Sequence, residues 1–221
     1  KFKIFVVNTV INTVNNQEIN SMAYNPYSTS QPVNISDPSG RLSVEGDGIS
    51  SFNFPYTPTI TNMSNANYTQ VSPTHSNFQQ QFFQSGSNAT INVTAPIIIE
   101  NVEQGQTILS ALDFFRGAMK MRFGKNDEQR GLPPPVLRFN AHGVFQNIPV
   151  LVNNFVYNLD ADVSYIDIET RTEQNPETVI QMPVSGTFVI DFLVTYSPKN
   201  VRDNFTLEKY LSGGLRGEGY V

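Results

Sequence analysis

The chain has no cysteine and no tryptophan among its 221 residues, and only two histidines. Without cysteine there is no disulfide framework, no thiolate metal site and no cysteine nucleophile. Charge is scarce as well. Asp, Glu, Lys and Arg make up 15% of the chain and the net charge is -5, which excludes a general electrostatic attraction for nucleic acid or an anionic membrane. No apolar run approaches the roughly 20 residues that cross a bilayer as a helix. His75, in a Pro-Thr-His loop, and His142, at a strand end, lack partners at the spacing that metal binding or catalysis requires. Asp160, Asp162, Asp167 and Glu169 lack the glycine and terminal glutamate of a calcium loop, and read as turn residues flanking a strand. Gly46-Asp47-Gly48 opens no helix, Gly124-Lys125 has no upstream glycine to cradle a phosphate, and Ser185-Gly186 lacks the frame of a nucleophile elbow. The residues therefore support no enzyme, no cofactor and no metal site.

What is abundant is Asn, Ser and Thr, together with 14 Gly and 14 Pro. That composition favours strands and loops over helices. Six N-x-S/T triplets, beginning at Asn34, Asn62, Asn67, Asn88, Asn92 and Asn204, arise from the composition and do not mark a secreted glycoprotein. The basic, apolar start Lys1-Phe-Lys-Ile-Phe-Val-Val is broken by Asn8 and Asn12 too early for a signal peptide. Phe2 to Val14 reads as a strand. From about Gln17 to Gln81 the breakers are dense, leaving room for short strands such as Leu42 to Val44 and Ser50 to Phe54 within an extended arm. The run Phe78-Gln-Gln-Gln-Phe-Phe-Gln is hazardous as an exposed edge, and burial against a neighbouring subunit is its natural remedy.

The centre of the chain is more decisive. Val93, Ile97, Ile98 and Ile99 read as a buried strand, followed by an amphipathic helix over about 104–121 with Ile108, Leu112, Phe115 and Met119 on one side. Gly124, Gly131 and Pro133-Pro134-Pro135 stop it. Downstream, Val136 to His142 alternates. Phe145 to Leu159 alternates in two phases, with Ile148, Val150 and Val152 on one and Phe155, Tyr157 and Leu159 on the other, which predicts a β-bulge or sharp bend at Asn153-Asn154. Another strand spans Val163 to Glu169. A polar loop from Thr170 to Thr178 leads into the strongest strand, with Phe188, Ile190, Phe192, Val194 and Tyr196 on one face. Asn204 to Leu211 is a short helix, and the glycine-rich Ser212 to Val221 needs a surface to lie on. Basic residues gather at Arg116, Lys120, Arg122, Lys125, Arg130 and Arg138. They serve either as a solvated helix end favoured by the helix dipole, with Asp113 paired to Arg116, or as a positive surface that meets a negative one on a copy or partner.

The fold class is mainly β (α+β): a β-sandwich or partly open barrel with one flanking helix and extended arms. Residues 1–90 form an N-terminal strand and polar arm, and residues 91–221 the β domain with its helix and tail. The phrases "ENVEQGQTILSALDFFRGAMKMRFG", "LPPPVLRFNAHG", "NIPVLVNNFVYNLDADVSYIDI" and "MPVSGTFVIDFLVTYSPKNVRDNFTLEKYLSGGLRGEGYV" occur in an order that resembles the tail-tube-related baseplate proteins of contractile-tailed bacteriophages. The likeness covers about Ile91 to Val221. It implies a non-enzymatic structural virion protein, assembled in the host cytoplasm as a six-fold homo-oligomeric ring. In that setting the chain would template tube polymerisation between tail-tube and baseplate hub proteins, without membrane contact, and DNA would pass through the lumen without sequence-specific binding. Interface residues on this reading are Arg116, Lys120, Arg122, Lys125, Arg130, Phe205, Tyr210, Leu215 and Tyr220. The alternative is a carbohydrate-binding or adhesin-like β-sandwich, with Tyr24, Tyr27, Tyr56 and Tyr68 as its contacts. A hydrolase has no favoured acid.

Overall fold

A computed structural model describes residues 33–42, 49–125, 129–172 and 175–221. The strand expected at Phe2 to Val14 lies outside them, as does most of the one expected at Leu42 to Val44. The first half of the described chain holds β1 (Asn34–Ser36), β2 (Ser51–Asn53), β3 (Thr59–Met63), β4 (Ala66–Val71), β5 (Gln80–Gly86), β6 (Thr90–Ile98) and helix α1 (Val102–Ala118). The second holds β7 (Leu137–Ala141), β8 (Phe145–Leu159), β9 (Tyr165–Thr172), β10 (Asn175–Pro183), β11 (Ser185–Val194), α2 (Pro198–Asn204), α3 (Leu207–Leu211) and a 3₁₀ turn (Arg216–Glu218).

Seven strands make one antiparallel sheet in the order β2-β1-β7-β8-β11-β6-β3. β4–β5 and β9–β10 are separate two-stranded hairpins. The molecule is mainly β, as the composition requires, but the described strands close no barrel. The division expected near residue 90 does not coincide with a break in the sheet, because β3 pairs with β6 and β1 with β7.

Alternation in the sequence decides which face is buried. Ile91, Val93, Ala95 and Ile97 of β6 and Phe188, Ile190, Phe192 and Val194 of β11 all point to one side, where α1 lies. At β8 the register slips between Asp191 and Phe192, which pair with Asn154 and Val152 and leave Asn153 as the extra residue. This bulge brings Phe155 and Tyr157 to the same packed side as Ile148 and Val150. The polar loop expected over Thr170 to Thr178 is instead hairpin: β9 continues to Thr172 and β10 begins at Asn175. Nearer the core, Ile168 of β9 is fully buried and reaches α1 at Gly105, where a Cβ would stand 2.2 Å from the Ile168 Cδ1.

Helix α1 starts where Asn101, in extended backbone at φ -146°, accepts from the Gln104 N–H at 2.8 Å. The Gln104 side chain in turn accepts from the Glu100 N–H at 2.8 Å, so two amide donors at the helix start are satisfied reciprocally. Asn101→Ala is expected to cost about 1 kcal/mol, read as a lower urea midpoint at unchanged slope. Buried on α1 are Ile108, Ala111, Leu112, Phe114, Phe115 and Ala118. The helix ends at Ala118 with Met119 as its cap, before the expected stop at Gly124, so Lys120 lies beyond the helix and shares no helical face with Arg116.

Candidate assembly surfaces

The side of the sheet facing away from α1 is partly covered by the C-terminal segment. Tyr220 stacks on Tyr196 with ring centroids 4.8 Å apart, and the Val221 N–H donates to the Tyr196 hydroxyl at 3.1 Å. Burial raises the Tyr196 pKa, opposed by that hydrogen bond. Where the sequence asks for a surface beneath the glycine-rich tail, the chain's own β7–β8 region supplies it. A shallow depression of about 580 Å³, lined in part by Arg138, Tyr196, Asn200, Glu218 and Tyr220, is the seam between tail and sheet. Arg138 is engaged there through its donation to the Asn147 carbonyl at 3.1 Å.

The remainder of that side is left uncovered by the described residues. Across β3, β6, β11 and residues 151–158 of β8, Asp191 is the only charged residue. Its carboxylate accepts from Asn92 at 2.5 Å and Asn154 at 3.2 Å, which makes a polar row across three strands. Around it stand mostly Thr, Asn, Val and Leu. Beyond the β3–β6 edge projects the β4–β5 hairpin, exposed along both strands. Tyr68 packs edge-on against Phe83 at 5.8 Å, while Phe78 is 82% exposed and Phe82 is also open. No charged residue occurs from Gly48 to Ile99, so this apolar arm has none of the charges that usually keep hairpins apart. The glutamine-flanked aromatics signalled the hazard, but not that the run forms a strand paired with Ala66–Val71.

The residues expected at an interface fall in two regions. Arg116, Lys120, Lys125 and Arg130 are exposed on or after the last turn of α1, with no carboxylate partner among the described residues, and the expected Asp113–Arg116 pair is not formed. Arg122 is different: it is half-buried, donates to the Arg41 carbonyl at 2.7 Å, and its backbone joins Gly131 and Leu132. It fastens the loop to the β1–β2 side. In the tail, Phe205 and Tyr210 are exposed and lie 5.9 Å apart, whereas Tyr220 is half-buried against Tyr196 and Phe205. Leu215 is a correction. At 1% exposed it packs inward to hold the tail down, and it offers no partner surface.

Among the described residues no group of three or more His, Asp or Glu is placed to hold a metal ion, and no helix is long and apolar enough to cross a membrane. The hydroxyl of Tyr157 is buried without a partner, and burial, then Asp160, pushes its pKa up. It stands over Phe188 at 5.1 Å as part of the packed face. The surfaces thus offer extended contact. No protein-family model matches the chain, and no curated protein sequence does.

Proposed function

We propose that the chain is a structural virion protein of a contractile bacteriophage tail, one copy in a homo-oligomeric ring at the junction of baseplate and tail tube. There it templates tube polymerisation and lines the channel through which DNA passes, between tail-tube and baseplate hub proteins. The observation that carries this reading is the uncovered sheet face with Asp191 as its one charge. A wall along which DNA slides must not capture phosphates, and each Lys or Arg on it would do so through counterion release. A face of Thr and Asn wets without binding. The open sheet supports the same reading, because its end strand β3 has no charged residue and offers backbone groups to another chain. The glycan-binding alternative is less well supplied: Tyr24 and Tyr27 lie outside the described residues, Tyr56 is half-buried, and the Tyr68 ring is engaged with Phe83.

The test is the mass of the purified full chain in solution, with negative-stain images over a concentration series. Rings with an open centre, or short stacks of them, are expected. A protein that stays monomeric at every concentration, and also when mixed with its tube and baseplate neighbours, would overturn the reading.

A further inference from the structure

We propose that the two ends of α1 carry the two halves of one interface between copies of this chain, the acidic end of one copy seating on the basic end of the next. The inference rests on the ring reading and says which surfaces join. α1 is 17 residues long, which separates its ends by about 25 Å at 1.5 Å per residue. Its N-terminal end meets the ends of β6 and β8, since Gly186 pairs with both Ile97 and Leu159 and the Ser185 hydroxyl donates to Asp160 at 2.6 Å. Glu100, Glu103, Asp160 and Asp162 are all exposed there. Residues 89–115 and 139–168 contain no Lys or Arg, the nearest in β9 being Arg171. The C-terminal end lies beside β1–β2, where Arg122 holds the Arg41 carbonyl and Leu42 faces Gly117. Residues 114–138 carry six Lys and Arg against Asp127 and Glu128.

The helix dipole alone accounts for Glu103 in the first turn and Arg116 in the last. It does not account for Asp160 and Asp162, which belong to another element, nor for Lys120, Lys125 and Arg130 beyond the helix. Nor does it explain the open apolar side chains that neighbour each charged set in the sequence. Ile98 and Leu159 are open at the acidic end, at 43% and 56% exposed. At the basic end Met121 and Phe123 are open, the latter at 84%. Open apolar side chains among polar ones are the usual anatomy of a protein interface, and here the two ends carry charge of opposite sign on one molecule. Surface charge pairs add little affinity each, so the open apolar side chains supply the attraction while the charges set orientation and encounter rate. Because the halves differ and lie apart, the contact is heterologous. It propagates head to tail and closes into a ring when the rotation completes a circle.

The experiment uses two full-length variants, Arg116→Glu/Lys120→Glu and Glu100→Lys/Glu103→Lys, beside the unaltered chain. All four positions are exposed, so far-UV circular dichroism and melting should stay close to the parent. Each variant alone places like charges in contact, and its assembly, read by sedimentation velocity, is expected to weaken roughly 100-fold. Mixed one to one, the two are expected to assemble again in alternation, since each reversed patch now meets its complement. Assembly of the parent should also weaken as salt rises from about 0.05 to 0.5 M. Variants that assemble as well as the parent, or a mixture that stays apart, would overturn this contact and leave the ring reading standing. A parent that never self-associates, alone or mixed with its tube and baseplate neighbours, would overturn both.

Discussion

Phe115→Ala is expected to lower the free energy of unfolding by about 3–5 kcal/mol, the largest loss from any single side chain considered. Phe115 is fully buried, and its ring lies 5.7 Å from Phe52, 5.3 Å from Phe114, 5.2 Å from Phe155 and 6.3 Å from Phe188. It therefore joins α1 to β2, β8 and β11 in one aromatic cluster. Rings around a deleted ring cannot flow into the space as aliphatic chains do, so most of the cavity stays open and its lining loses contact outright. Against a total stability of about 5–15 kcal/mol for an ordinary domain, the loss takes a large share. Urea unfolding followed by near-UV absorbance should show a lower midpoint at unchanged slope. Val144→Ala, on a side chain left open to solvent, is the control and should move the midpoint by less than about 0.5 kcal/mol. A loss under about 1.5 kcal/mol at Phe115 would mean that the site collapses, and that α1 is held mainly by its aliphatic contacts.

That cluster also shows why the middle of the chain was readable. Ile108, Leu112 and Phe115 recur at helical spacing and are buried on α1, because periodicity records which face meets the core. The phase change in β8 was equally visible, since a bulge or a sharp bend must bring both phases to one side, and the structure resolves it as a bulge that extrudes Asn153. Asp191 held between Asn92 and Asn154 was not readable, because the three come from strands far apart in sequence and cross-strand register leaves no local mark. β10 was missed for another reason. Asn175-Pro176 carries turn chemistry, which reads as a loop although Asn175 pairs with Thr172 in a hairpin there. β4 and β5 were missed likewise, since both their faces are exposed. Of the residues expected at an interface, the basic set was legible as composition. The burial of Leu215 was not, because it depends on where a glycine-rich segment turns back.

Gly219→Val is expected to release that segment while the sheet beneath stays folded. Gly219 sits at φ +86°, a region β-branched residues avoid, and a Cβ built on it would stand 2.4 Å from the Asn147 carbonyl oxygen and 3.1 Å from the Pro149 Cδ. The backbone conformation alone costs roughly 1–2 kcal/mol for a residue with a Cβ. The clash is with main chain in the sheet, which cannot rotate away as a side-chain tip does. The cheaper escape is for the tail to lift, which breaks the Tyr220–Tyr196 stack, frees the Tyr196 hydroxyl from the Val221 N–H and uncovers Leu215. Hydrogen exchange should then show faster exchange for residues 212–221 with β6 and β11 unchanged, and a protease should trim the C-terminus before it cuts elsewhere. Protection in the tail equal to that of the unaltered chain would mean that the Asn147 turn yields instead. The tail would then be docked more firmly than Leu215 and the Tyr196–Tyr220 stack account for. Either result bears on assembly, because Phe205 and Tyr210 are presented on the same segment and keep their place only while Gly219 lets it close against β8.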